Sequence, residues 1–170
     1  MIEPRLLHLF VSPGHNYFGR HGLEPERHPT EERSEIQCEA GQGIVGDRFL
    51  GYKPDYKGQI TFFSAETFAE LCQQFAVHDR PPSVLRRNVI AAGLDLDDLA
   101  HAEFALQGVR FLGMGECKPC HWMNGAFHPE AEAWLRGRGG LRAKILSSGA
   151  LTVGPARFER FPTAQPATAD

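Results

Sequence analysis

Two cysteines stand three positions apart in residues 113–124 (GMGECKPCHWMN). Cys117 and Cys120 enclose Lys118 and Pro119, after a glycine-rich approach. A C-x-x-C pair can be half of a zinc site, can cycle between dithiol and disulfide, or can present one thiolate to a soft metal. A closed zinc site takes two more ligands. Cys38 and Cys72 are not paired at short spacing, and the run through His121 and His128 matches no standard structural zinc spacing. A thioredoxin-like pair calls for a strand, the cysteines and then a helix. A strand precedes, but residues 121–128 (HWMNGAFH) do not read as a helix. One reactive thiolate in a loop after a strand fits best. The plain alternative is two inert small hydrophobes.

Residues 85–89 (LRRNV) read as part of an apolar strand. Alternate residues of a strand share a face, so Arg86 and Asn88 are expected to point together and Arg87 the other way. Arg86 offers a planar fork for phosphate or carboxylate, and Asn88 adds donors and an acceptor. Residues 136–144 (RGRGGLRAK) bring Arg136, Arg138 and Arg142 around glycines whose N–H groups can converge on an anion. Neither G-x-x-x-x-G-K-[ST] nor a strand-linked G-x-G-x-x-G is present, so this is not a nucleotide loop of either kind. The plain alternative is a flexible turn before a strand. In residues 43–48 (GIVGDR), Gly46 marks a turn or a close approach, and Asp47 can accept from a ligand, pair with Arg48 or cap the turn. The eight histidines form no H-E-x-x-H and no helical pair, and no G-x-S-x-G elbow is present. Nothing in the spacing supports zinc or NAD.

Short elements must hold these residues. The apolar run 5–11 predicts a first strand, and residues 34–40 a second, before the glycine-rich turn 41–47. Residues 58–63 (GQITFF) predict a strand. Ser64 caps a helix over about 65–76, with Phe68, Leu71, Cys72 and Phe75 on one face. A strand over 84–90, a helical turn at 94–99 and a hairpin about Gln107-Gly108 follow. A second short helix at 129–136 and closing strands at 141–146, 150–153 and 157–161 complete the reading. Many short strands with few helices, mostly in meanders, predict a mainly β fold with peripheral helices (α+β), built as a mostly antiparallel barrel.

Of 170 residues, 42% are hydrophobic and 23% charged, which is globular composition. The expectation is a single domain over 1–161 with a loop insertion at 13–33, and a flexible tail at 162–170. The net charge of −3 lacks the basic excess of nucleic-acid and membrane-surface binders, so neither partner is expected. No apolar run is long enough to span a bilayer, and the first residues do not read as a signal peptide. Four cysteines are too few for a disulfide scaffold. The expected compartment is the cytoplasm.

Five segments together resemble the MOSC domain, named after the C-terminal part of molybdenum-cofactor sulfurases. They are GIVGDRF (43–49), GQITFFSAE (58–66), LRRNVIAAGLDLDDL (85–99), GECKPCHWM (115–123) and RGRGGLRAKILSSGALTVGP (136–155). The resemblance spans roughly residues 4–160. It implies a barrel-like β fold with peripheral helices, and a cysteine after a barrel strand that ligates molybdenum. Cys120 matches that position, as metal ligand and catalytic centre, with Cys117 a helper or bystander. Arg86 and Asn88 would face the pterin or its phosphate, with Gly46 and Asp47 at the matching turn. Lys118, Arg138 and Arg142 would add charge around a molybdopterin phosphate. The implied activity is reduction of N-hydroxylated compounds, with a separate electron-donor protein. The alternative is a sulfur-carrier or cofactor-delivery module, in which Cys120 holds a persulfide between donor and acceptor proteins. No pyridoxal-phosphate domain reads in the sequence, so that cofactor is not expected on this chain.

Overall fold

The computed structural model describes residues 3–16, 24 and 26–162. The tail from residue 163, and residues 17–23 and 25 of the 13–33 insertion, lie outside the described residues. The described residues form twelve strands: β1 (Arg5–Val11), β2 (Glu31–Arg33), β3 (Glu35–Glu39), β4 (Gly43–Ile44), β5 (Ile60–Ser64), β6 (Val89–Ala92), β7 (Glu103–Leu106), β8 (Val109–Glu116), β9 (Leu141–Ile145), β10 (Gly149–Thr152), β11 (Gly154–Pro155) and β12 (Phe158–Arg160). Helices α1 (Ala65–Phe75), α2 (Trp122–Ala126) and α3 (Ala131–Leu135) are peripheral to them. The mainly β, α+β composition expected from the sequence is what forms.

The main sheet runs β11-β1-β6-β5-β9-β8-β7-β12, with β2 also on β1, and a smaller sheet runs β10-β3-β4. The barrel expectation needs correction. The main sheet is mixed, because β5 and β6 pair in parallel while the other ladders are antiparallel. Among the described residues no ladder joins β11 to β12, so the sheet does not close. A parallel pair cannot be joined by a tight turn. Helix α1 lies in the crossover. Ser64 starts it by accepting from the Thr67 N–H at 3.1 Å.

Strand alternation divides the core in two. Leu9, Phe62, Val89 and Ala91 point to one side, where they meet Phe104, Phe111 and Ile145. Their neighbours Phe10, Phe63 and Ile90 point to the other, where they meet Leu71 of α1, Met123 of α2 and Leu135 of α3. Phe62 and Phe63 are wholly buried. Each large apolar side chain so placed contributes about 1.5–3 kcal/mol from burial. The sheet is thereby pinned from both sides, so the 45–58 loop that enters β5, the loop that leaves β8 and the segment before β6 are anchored at fixed points. Among the described residues no helix is long and apolar enough to cross a membrane.

Three local expectations fail. The segment before β6 is not strand: Pro82–Leu85 is a 3-10 turn, and Arg86 follows with φ 55°. Pro82 suits the first turn of a helical segment, and the left-handed Arg86 ends it, its N–H bonding Ser83 O at 3.0 Å. Strand geometry begins only at Val89. Residues 94–99 make turns and no helix. Conversely, residues 122–126 do form a short helix, so the ground for setting aside a strand–cysteines–helix order at Cys117 and Cys120 does not hold.

Candidate functional site

The loop after β8, the 45–58 loop, the segment before β6 and the first residues of the 13–33 insertion converge on a cleft of about 400 Å³. Cys117, Lys118 and Cys120 lie on one wall, with Trp122 beside them. Arg48, Arg86, Arg87 and Arg142 line the same space, as do Asn88, His15, Phe49 and Tyr56. Four guanidinium groups around one cleft make it strongly positive, although the chain as a whole is acidic.

Each guanidinium has a different task. Arg86 does not face the cleft from a strand, as expected. It turns back, Nη2 donating to Ser12 Oγ at 2.8 Å and Gly14 O at 2.7 Å, Nη1 to Thr30 Oγ1 at 3.2 Å and His28 O at 3.3 Å. It therefore ties the 12–14 and 28–30 segments together. Burial, then Arg48, pulls its pKa down to about 10, which leaves it charged at neutral pH. Arg87 is buried and bonds only backbone carbonyls. Arg48 is nearly covered, with one long 3.5 Å contact to Asp47 Oδ1 and its guanidinium 4.8 Å from the Phe49 ring. Burial, and repulsion from Arg87, lower its pKa. Among the described residues no hydrogen bond or ion pair engages the side chain of Arg142 or Lys118.

Asp47 and Asn88 lie beneath this surface. Asp47 accepts from the Ser12 N–H at 3.1 Å, the Phe49 N–H at 3.1 Å and Asn88 Nδ2 at 3.2 Å. Asn88 Oδ1 accepts from both the N–H and the hydroxyl of Thr61, and its Nδ2 also donates to Phe10 O. The pair sets where β1, β5 and the 45–58 loop meet. Gly46 takes φ 85°, which turns the chain so that Asp47 points inward. It is not among the lining residues. Arg138 is outside as well: it is half exposed, pairs with Glu70 at 3.3 Å and lies over the Trp134 ring.

The cysteines are partly buried. Burial pushes the Cys120 thiol above its ordinary value; the Trp122 N–H and the Arg87 charge draw it back in part. Burial thus outweighs both, and the direction runs against a ready-formed thiolate at Cys120. In the same cleft, Phe49 stacks on Tyr56 and meets Tyr52 and His15 edge to face. Burial, then Arg48, lowers the His15 pKa. Among the described residues no cluster of three or more His, Cys, Asp and Glu gathers as a metal cage.

The structure thus brings together Cys120, Lys118, Arg86, Asn88 and Arg142, and leaves out Gly46, Asp47 and Arg138. Arg48, Tyr56, Phe49, His15 and Trp122 were not singled out from the sequence. For Arg48, Phe49 and Tyr56 the one available signal was the aromatic and basic density of residues 48–56 after a glycine turn.

Comparison with solved structures returns the same architecture. YuaD from Bacillus subtilis superposes with a TM-score of 0.71 at 18% identity, over 92% of this chain and 94% of that one. YiiM from Geobacillus stearothermophilus superposes at 0.66 and 13% identity, over 92% and 75%. YiiM from Escherichia coli does so at 0.63 and 13%, over 91% and 69%. At such identities the likeness shows the fold alone. A search of curated proteins gave no match. The MOSC domain model matches residues 45–156, which hold the 45–58 loop, the Arg86–Asn88 segment and both cleft cysteines. With most of its length matched, and with that fold, this chain belongs to the MOSC domain family.

Proposed function

We propose that this protein binds molybdenum on its pterin through Cys120 and reduces N-hydroxylated compounds. The observation that carries the reading is the meeting of one partly buried sulfur with the unengaged Arg142 and the nearly covered Arg48 in a single cleft. The cleft's donor set suits this group and not a bare ion. Among the described residues too few ligands gather to cage a free metal, whereas a metal carried by a sulfur-bearing chelate needs few protein ligands. The volume of about 400 Å³ lies within the roughly 300–1,000 Å³ of cofactor sites.

When bound, the cofactor supplies a two-electron metal centre. Cys120 would hold the metal through its sulfur, as a thiolate. Arg142, Arg48 and Lys118 would hold the pterin phosphate by charge-assisted hydrogen bonds. Asp47 and Asn88 act from below by fixing the loop that carries Arg48. Phe49 and Tyr56 would shield the bound group from water. The net reaction breaks the substrate N–O bond. Two electrons from a separate donor protein and two protons convert N–OH to N–H and water. The sulfur-carrier alternative asks Cys120 to be a nucleophilic thiolate without a metal, and the raised pKa of this thiol disfavours that.

The direct test is turnover. Protein from cells that make the cofactor, reduced chemically, is given an aryl amidoxime, and the amidine is quantified. The expected result is turnover that falls at least ~100-fold in Cys120→Ser. Cofactor-loaded protein with no turnover on amidoximes or hydroxylamines would contradict the reductase reading. A cyanide-labile persulfide on metal-free Cys120 would support the carrier instead.

A further inference from the structure

We propose that Arg87 is a positioning residue: it staples the cysteine loop into a socket made by Gly139 and Gly140, and so holds Cys120 toward the cleft. The inference rests on the reading of Cys120 as the working sulfur, and does not depend on which ligand that sulfur meets.

Arg87 is only 7% exposed, yet among the described residues it makes no ion pair. Its Nε donates to Gly139 O at 3.0 Å and its Nη1 to Leu85 O at 3.0 Å. Its Nη2 donates to Cys117 O at 2.9 Å and reaches Lys118 O at 3.5 Å. One planar fork thus joins three separated segments: the turn before β6, the cysteine loop and the approach to β9. A buried guanidinium needs such partners, because each unmet donor would carry its full desolvation cost.

The other side of the loop is held by the glycines. The Cys117 N–H donates to Gly140 O at 2.7 Å, and the Gly139 N–H donates to Glu116 Oε1 at 3.1 Å. A Cβ on Gly139 would stand 2.3 Å from Cys117 O and 2.9 Å from Pro119 Cδ. A Cβ on Gly140, at φ 92°, would stand 2.1 Å from Phe62 O. Both glycines are therefore required by close backbone approach. The turn read from the sequence as an anion loop serves as a socket for the C-x-x-C segment. Cys117 is pinned at both its N–H and its carbonyl, so the sulfur three residues on starts from a fixed backbone.

Lysine cannot replace this arginine. A single ammonium can approach one or two of these carbonyls, but it lacks the fork that spans all three segments. A role that was only electrostatic would survive Arg87→Lys. A positioning role would not.

The test uses the full chain and two readouts on the same samples. The first is amide hydrogen exchange of residues 116–121, with residues 60–64 of β5 as the internal control. The second is the rate of Cys120 alkylation by iodoacetamide at a single pH, read by peptide mass. Arg87→Lys is expected to raise both the loop exchange and the alkylation rate ~10-fold while β5 exchange is unchanged. Loop exchange and alkylation within about twofold of the parent would overturn the proposal, as would a rise in β5 exchange in step with the loop. If Arg87→Lys does not fold, Gly139→Ala pushes on the same loop from the other side. It is expected to loosen residues 116–121 in the same way, and an unmoved loop would overturn the proposal. Molybdenum content separates the two claims. A metal-free wild type together with a loosened variant loop defeats the cofactor reading and leaves the socket standing.

Discussion

Asn88 Nδ2 lies 3.2 Å from Asp47 Oδ1, with both side chains buried. The two residues come from different segments of the family pattern, and they meet under the cleft. Asn88 makes five further hydrogen bonds: Thr61 donates two to its side-chain oxygen, its Nδ2 donates to Phe10 O, its N–H donates to Thr61 Oγ1, and its carbonyl accepts from the Phe10 N–H. The floor of the site is therefore a satisfied polar network, and its members are worth more together than singly.

Removing Asn88 exposes that dependence. Asn88→Ala strips partners from Asp47, the Thr61 N–H and Phe10 O, and is expected to cost about 1–3 kcal/mol or more in urea unfolding. Asn88→Asp keeps the acceptor for Thr61, replaces the donor to Asp47 with a second carboxylate, and is expected to be the more damaging at neutral pH. Unfolding midpoints for both variants equal to the parent would contradict the network.

The legible parts of this fold were those with a strong local signal. Strand β1 occupies the same residues 5–11 as the apolar run that announced it. Ser64 caps α1 through Thr67, and Gln107 and Gly108 take φ 50° and 84° at a hairpin, as their chemistry demands. Arg86 was misread because an apolar run with β-branched ends looked like strand, while Pro81 and Pro82 had already turned the chain. The open, mixed sheet was hidden for a related reason. The strand–helix–strand order of residues 58–92 is itself the mark of a parallel crossover, yet one such unit among many hairpins was outvoted. Among the cleft-lining residues, the C-x-x-C pair and Arg142 stood out by type and spacing, and the choice of Cys120 within the pair came from the family resemblance. Arg48 and Tyr56 were not, because they lie in a loop with no period, and only tertiary packing brings them to the cleft.

His15 provides a pH signature. Burial and Arg48 hold its folded pKa below the ordinary 6.5. Between that lowered value and 6.5 the unfolded chain binds more protons, so stability falls as the pH drops through this window. His15→Gln lacks this loss. Between about pH 7.5 and 5.5 the melting temperature of the wild type is expected to decline more steeply than that of His15→Gln. Parallel declines would contradict the placement of His15 beside Arg48.

Arg138 and Arg142 carry the same charge four residues apart, and the structure gives them opposite prospects. Arg142 lines the cleft, whereas Arg138 pairs with Glu70 on the surface. Arg142→Ala is expected to weaken binding of a phosphate monoester by ~10- to 100-fold in calorimetry, the worth of one charged hydrogen bond. Arg138→Ala is expected to change it by less than about twofold. The reverse order would move the anion site out of the cleft.

The most direct measurement is the molybdenum and pterin content of purified protein from cofactor-competent cells, for wild type, Cys120→Ser and Cys117→Ser. The account predicts about one molybdenum and one pterin per wild-type chain, loss of the metal in Cys120→Ser, and retention of most of both in Cys117→Ser. Wild-type protein without molybdenum, or Cys120→Ser with a full complement, would contradict it.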